Sequence, residues 1–189
     1  MKAADLHFEE VLSFDPQGGV IRFGGSRVIV LDATAVGLFR KELIDGLGSN
    51  GARMVLTRFG FAQGWRTAET LRQDFPWDSE TEWAHAGSAL LTLMGHVLAE
   101  RVVGEGTADR PLVQAVWKDS YEAEQHLLHL GQGDIPVCWT LTGFASGYLS
   151  FCRKEEVYAR EVRCRGKGDV VCQMVAQPDR KSTRLNSSH

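Results

Sequence analysis

Apolar residues recur three and four apart in several stretches of this chain, and short β-branched runs set around glycines stand between those stretches. Helices and antiparallel hairpins therefore alternate in blocks, which predicts an α+β fold and argues against a parallel α/β sheet. A first hairpin is read over Val20 to Leu31, around Gly24-Gly25-Ser26. Val36, Phe39, Leu43 and Leu47 then predict an amphipathic helix stopped by Gly48. Ser49 opens a second helix, with Ala52, Val55, Leu56 and Phe59 as its apolar face. Pro76 breaks the pattern. Ser79 and Glu82 have capping-box spacing, for a helix with Trp83, Ala86, Leu90, Leu93 and Val97 on one face. "HVLAERVV" and "PLVQAVW" predict two antiparallel strands joined by the loop "GEGTADR". Asp119 or Ser120 caps a helix running to about His129. From Cys138, another helix carries Leu141, Phe144, Ala145, Tyr148 and Cys152 on one face. "EVYAREVRC" and "DVVCQMVA" predict a closing hairpin.

At 189 residues the chain is long enough to bury a real core. A soft seam near Gly104 to Pro111 divides it into parts 1–103 and 104–178. The net charge of −3, with no basic stripe, gives no reason to expect direct nucleic-acid binding. No apolar run approaches membrane-spanning length, and the N-terminus has no signal core, so a cytoplasmic protein is expected. Thiols stay reduced there, and the four cysteines read as metal ligands or core residues rather than disulfides. Residues 179–189 form a polar tail without periodicity. Its final "KSTRLNSSH" resembles read-through from a vector or adapter, so the natural chain is expected to continue beyond about Arg180.

Glu161, Cys164 and Cys172 stand around a turn of Gly166, Lys167 and Gly168, and a hairpin brings such positions together. Thiolates are good zinc ligands, and zinc takes four in a tetrahedron. Arg163, Arg165 and Lys167 favour thiolates electrostatically. Cys138, after Pro136, is the best fourth candidate, whereas Cys152 follows its helix's apolar side. The spacing of Cys164 and Cys172 is wider than in standard zinc motifs, so unlinked core cysteines remain the alternative at this point. His126 and His129 lie three apart on a helix, which is more often a half-exposed face than a metal site. His85 and His96 read as surface or core-edge residues. The chain lacks a phosphate-binding loop, an H-E-x-x-H helix and a G-x-S-x-G elbow. Aromatic residues concentrate in the second half, where they build either a core or the wall of an apolar pocket.

"PVCW", "GFASGY" and "REVRCRGKGDVVC", with "GVIRFGGSRVIVLD" and "FRKELIDGLGSNGARMVLTRFGFAQG", resemble segments of the aromatic-effector sensor domains of the XylR/DmpR/MopR class. These belong to bacterial transcription activators that work with the alternative sigma factor, sigma-54. The resemblance covers about residues 8 to 177. It implies an N-terminal sensor and dimerisation part, 1–103, followed by a four-vinyl-reductase-like module, 104–178, with structural Zn²⁺ held by Cys138, Glu161, Cys164 and Cys172. A closed four-ligand site leaves no open position for catalysis, so no enzyme is expected.

The same resemblance implies an effector pocket involving Trp117, Leu91, Ala115, Phe144, Tyr148 and Ala159. In the phenol sensors a histidine stands where this chain has Leu91, within "GSALLTLMG". Ala115 and Ala159 are small where relatives carry aromatic residues. A non-phenolic hydrocarbon effector such as toluene, xylene or benzene is therefore expected. Effector binding is expected to relieve repression of a downstream ATPase domain, which a DNA-binding domain follows in the full-length relatives, and a homodimer is implied. The alternative function is a carrier or assembly factor for an apolar small molecule.

Overall fold

The computed structural model describes residues 1–102 and 112–179; the predicted loop "GEGTADR" and the tail from Arg180 lie outside the described residues. The chain opens with a short helix, α1 (Phe8–Val11), and an antiparallel meander of β1 (Leu12–Asp15), β2 (Val20–Phe23) and β3 (Ser26–Val28). The predicted first hairpin thus ends at Val28 and gains β1 on its other side. Ile29, Val30 and Leu31 follow outside the sheet and are 70%, 81% and 64% exposed.

Helix α2 (Ala33–Asp74) starts with Asp32 accepting the Ala35 N–H. The predicted stop appears as a kink at Gly48, whose φ of 70° suits glycine. The buried stripe differs from the one expected. Phe39, Leu47, Val55 and Phe59 are exposed, while Ala52, Leu56, Gly60, Gly64, Ala68 and Leu71 face inward. Helix α3 (Glu80–Leu93) is capped by Ser79, which accepts from the Glu82 N–H. It ends before Val97, which is buried beyond the turn at Gly95 rather than on the helix face as expected.

A second sheet has the order β4-β5-β7-β6, from β4 (Leu98–Arg101), β5 (Val113–Lys118), β6 (Val157–Arg163) and β7 (Cys172–Pro178), all antiparallel. The predicted hairpins are both present, and the last strand inserts between β5 and β6. Helices α4 (Tyr121–Leu130), capped by Ser120, and α5 (Trp139–Arg153) complete an α+β architecture.

Helix α5 is buried along most of its length and crosses α2 at very short range. A Cβ on Gly60 would fall on the Thr140 carbonyl, and one on Gly64 on that of Phe144. In return, Cβ atoms on Gly143 and Gly147 would fall on the carbonyls of Thr57 and Phe61. Two Gly-x-x-x-Gly pairs therefore interlock, backbone against backbone. This explains why the buried stripe of α2 is built from small residues and its large ones are left outside.

Candidate metal centre and effector cavity

The inner face of the second sheet carries both candidate sites. Trp117 on β5 pairs with Cys172 on β7, and Ala115 pairs with Met174. Side chains of a cross-strand pair share a face, so Trp117, Cys172, Met174 and Ala115 project to the same side.

The ligand atoms of Cys138, Glu161, Cys164 and Cys172 all lie within 4.8 Å of one another. In a regular strand, residues three apart point to opposite faces, which would part Glu161 from Cys164. A register shift between Glu161 and Arg163 against β7 inserts one residue and restores the parity. After Cys164 a 3₁₀ turn (Arg165–Lys167) and Gly168, at φ 102°, return the chain to Cys172. Cys138 arrives from the start of α5. Its sulfur stands 3.7 Å from that of Cys172.

Backbone donors surround the sulfurs. Val137 N–H donates to Cys164 Sγ and Arg165 N–H to Cys172 Sγ, each at 3.3 Å. Cys138 N–H donates to Glu161 Oε2 at 3.0 Å, and Glu161 Oε1 is buried with no partner among the described residues. Burial, followed by the charge on Cys164, pushes the Glu161 carboxyl up to about 8. Burial likewise raises the Cys138 thiol, and the thiols of Cys138 and Cys172 hold Cys164 far below the usual thiol range by donating to it. Four acidic groups packed this closely cannot all ionise without a cation. Two sulfurs on a tetrahedral zinc ion stand about 3.8 Å apart, given a Zn–S distance of about 2.3 Å. The observed spacing, the soft donor set and the orphaned Oε1 all fit a divalent metal. Cys152 stands apart from the cluster, and so do His126 and His129, whose Nδ1 and Nε2 respectively are buried without partners among the described residues.

Beside the cluster, α3, α5 and strands β5 and β7 enclose a cavity of about 250 Å³. Leu91, Trp117, Phe144, Tyr148, Leu149 and Met174 form its apolar walls. Tyr148 gives its hydroxyl proton to the Trp83 carbonyl at 2.6 Å, so that donor is already engaged. Ala115 and Ala159 are on the same sheet face but not in the wall. Ala115 sits in the core, and the Ala159 N–H donates to Ser146 of α5 at 2.9 Å. His85, read from the sequence as a surface or core-edge residue, is a wall residue, with Ser88 and Arg101. Burial and Arg101 push its imidazole pKa down, which favours the neutral form. Its spacing to Ser88 and Leu91, three and six residues on, was the only signal of this in the sequence.

An α+β domain with an apolar cavity beside a cluster of three cysteines and a glutamate is the arrangement of a ligand-binding fold of the vinyl-4-reductase type, and residues 117–178 match the domain model of that type. A vinyl-4-reductase family protein from Methanocaldococcus jannaschii shares this fold at a TM-score of 0.53 and 15% identity, over 80% of this chain and 83% of that one. Residues 7–105 match the activators of aromatic catabolism, and the chain belongs to that family. It is similar to the phenol regulator MopR of Acinetobacter guillouiae, with 33% identity over 87% of this chain and 30% of that protein. The transcriptional regulatory protein XylR of Pseudomonas putida is 35% identical over 84% of this chain and 28% of its own length. The chain therefore spans about 30% of the curated relatives it matches. The phenol-responsive sensory domain of the transcription activator PoxR, solved with phenol, superposes at a TM-score of 0.82 with 29% identity, over 96% of this chain and 94% of that one. The relatives are regulators, and this chain is not an enzyme. Among the described residues no helix is long and apolar enough to cross a membrane.

Proposed function

We propose that this chain is the cytoplasmic sensor domain of a sigma-54-dependent activator and binds a small aromatic hydrocarbon such as toluene, xylene or benzene. The supporting observation is the cavity itself. An apolar cavity of about 150 Å³ is enough to take up benzene, and this one is larger, with Leu91 and Trp117 in its wall. PoxR is phenol-responsive, and the phenol sensors carry a histidine at the position of Leu91. Leaving a buried hydroxyl unpaired costs about 1–3 kcal/mol, whereas an apolar ring loses nothing against leucine. Calorimetric titration is expected to show toluene binding well and phenol about 5- to 100-fold more weakly, with Leu91→His reversing the order. Phenol binding better than toluene in the unaltered domain would contradict this reading.

Cys138, Glu161, Cys164 and Cys172 are proposed to hold one structural Zn²⁺ per chain. When bound, the ion neutralises the clustered acids and ties the β6–β7 hairpin to the start of α5. Residues 1–103 are proposed as the dimerising part and 104–178 as the zinc-containing module, with effector binding relieving repression of the downstream ATPase domain in the longer protein. The homodimer would use the apolar residues left outside, including Ile29, Val30, Leu31 and Phe39. Light scattering should give a dimer, and Val30→Glu with Leu31→Lys a folded monomer. A dimer that survives both charges places the contact elsewhere.

A further inference from the structure

We propose that the buried Arg40–Glu122 pair is the positioning element of the metal centre: it caps α5 and pins the Val137 carbonyl, leaving Cys138 free to ligate. This rests on the reading that Cys138, Glu161, Cys164 and Cys172 hold a metal.

Cys138 is the N-cap residue of α5, yet its side chain accepts no hydrogen bond from the helix. An N-cap side chain normally accepts from the second or third helical N–H. Here both amides go to Glu122 of α4. Oε1 accepts from Thr140 N–H at 3.0 Å, and Oε2 from Leu141 N–H at 2.9 Å. A carboxylate also suits the positive end of the helix dipole. Capping from a distance releases the N-cap position for a residue with another task, and a cysteine occupies it.

Arg40 of α2 completes the arrangement. It donates to Glu122 Oε1 at 2.7 Å and to the Val137 carbonyl at 2.6 Å, and its guanidinium lies 4.1 Å from the Trp139 ring centroid. On the other side of the same turn, Val137 N–H donates to Cys164 Sγ and Cys138 N–H to Glu161 Oε2. Residues 137–141 are therefore gripped between the ion pair and the ligand cluster. Arg40 and Glu122 are 4% and 1% exposed. A buried ion pair adds little net stability over a well-packed apolar pair, so stability alone does not account for it. What the pair does supply is direction, because two bidentate groups hold one turn from two helices. Metal retention should therefore depend on α2, a helix that contributes no ligand.

The test uses Co²⁺ as the probe on the whole chain. The absorption bands of bound Co²⁺ report coordination geometry, and transfer to an excess of a coloured chelator reports release. The proteins are the unaltered chain, Arg40→Met, Glu122→Gln and, as a control, Leu56→Ala in the core of α2. Arg40→Met and Glu122→Gln are expected to release the ion about 10-fold faster or more, with altered bands. Leu56→Ala should lower the thermal midpoint and leave both readouts unchanged. If Arg40→Met does not fold, the near-isosteric Glu122→Gln carries the comparison alone. Unchanged bands and release in the two pair variants, or the same changes in Leu56→Ala, overturn the positioning role while the metal reading stands. Failure of the unaltered chain to take up Co²⁺ overturns the metal reading and this proposal with it.

Discussion

Replacing Cys164 by serine is expected to abolish metal binding and to remove about 4 kcal/mol of stability or more, the contribution of a ligand present at about 1,000 times its dissociation constant. The physical reason is the crowding of the cluster. Four ligand atoms within 4.8 Å of one another are favourable around a cation and unfavourable without one. Cys164 is the sulfur that its neighbours already drive toward the thiolate, and it accepts the Val137 N–H, so its loss also frees the turn into α5. Elemental analysis should give one zinc per unaltered chain and none in Cys164→Ser, with a fall of about 8–16 °C in the thermal midpoint. Cys152→Ser, which alters a cavity-wall cysteine outside the cluster, should keep the full metal content. A metal-free Cys164→Ser chain that melts like the unaltered one would mean that the cluster is not a structural clamp.

Gly147→Val and Gly64→Val are expected to lower the thermal midpoint by about 6–12 °C each, corresponding to about 3 kcal/mol, the upper end for overpacking. At most buried sites a side chain can give way. Here the obstacles are the Phe61 and Phe144 carbonyls, which belong to the hydrogen-bonded backbones of the opposing helices. The helices must separate, and every pair along the crossing loosens. Phe144 also lines the cavity, so effector affinity should fall along with stability. Differential scanning calorimetry with and without toluene reads both effects. A change below about 2 °C would show that α2 and α5 separate at little cost, against the close packing that interiors require.

Local pattern was enough for much of the fold. β-Branched runs around glycine, period-3.6 stretches and capping residues are decided within a few residues of chain, which is why both closing hairpins, the caps at Ser79 and Ser120 and the break at Gly48 could be read directly. Apolar periodicity misled along α2, because glycine and alanine carry little hydropathy and yet form the inward stripe. Large residues marked the exposed face of that helix, which a monomer sequence pattern cannot distinguish from a core. The pocket residues Ala115 and Ala159 were misplaced for a related reason: sharing a sheet face does not decide which residues α5 covers and which it leaves open.

Which chemistry this protein carries was already legible in its residues: three cysteines and a glutamate of the right types, an aromatic-rich second half, and a leucine where a hydroxyl-binding histidine stands in phenol sensors. How these residues meet was a matter of packing. One inserted residue between Glu161 and Arg163 turns two opposed side chains toward one point, and a carboxylate from α4 takes over the capping of α5. Four glycines bring two helices into backbone contact and so set the wall of the cavity. Each of these depends on groups far apart in the chain, and their effects on parity, direction and distance are fixed only when the elements pack.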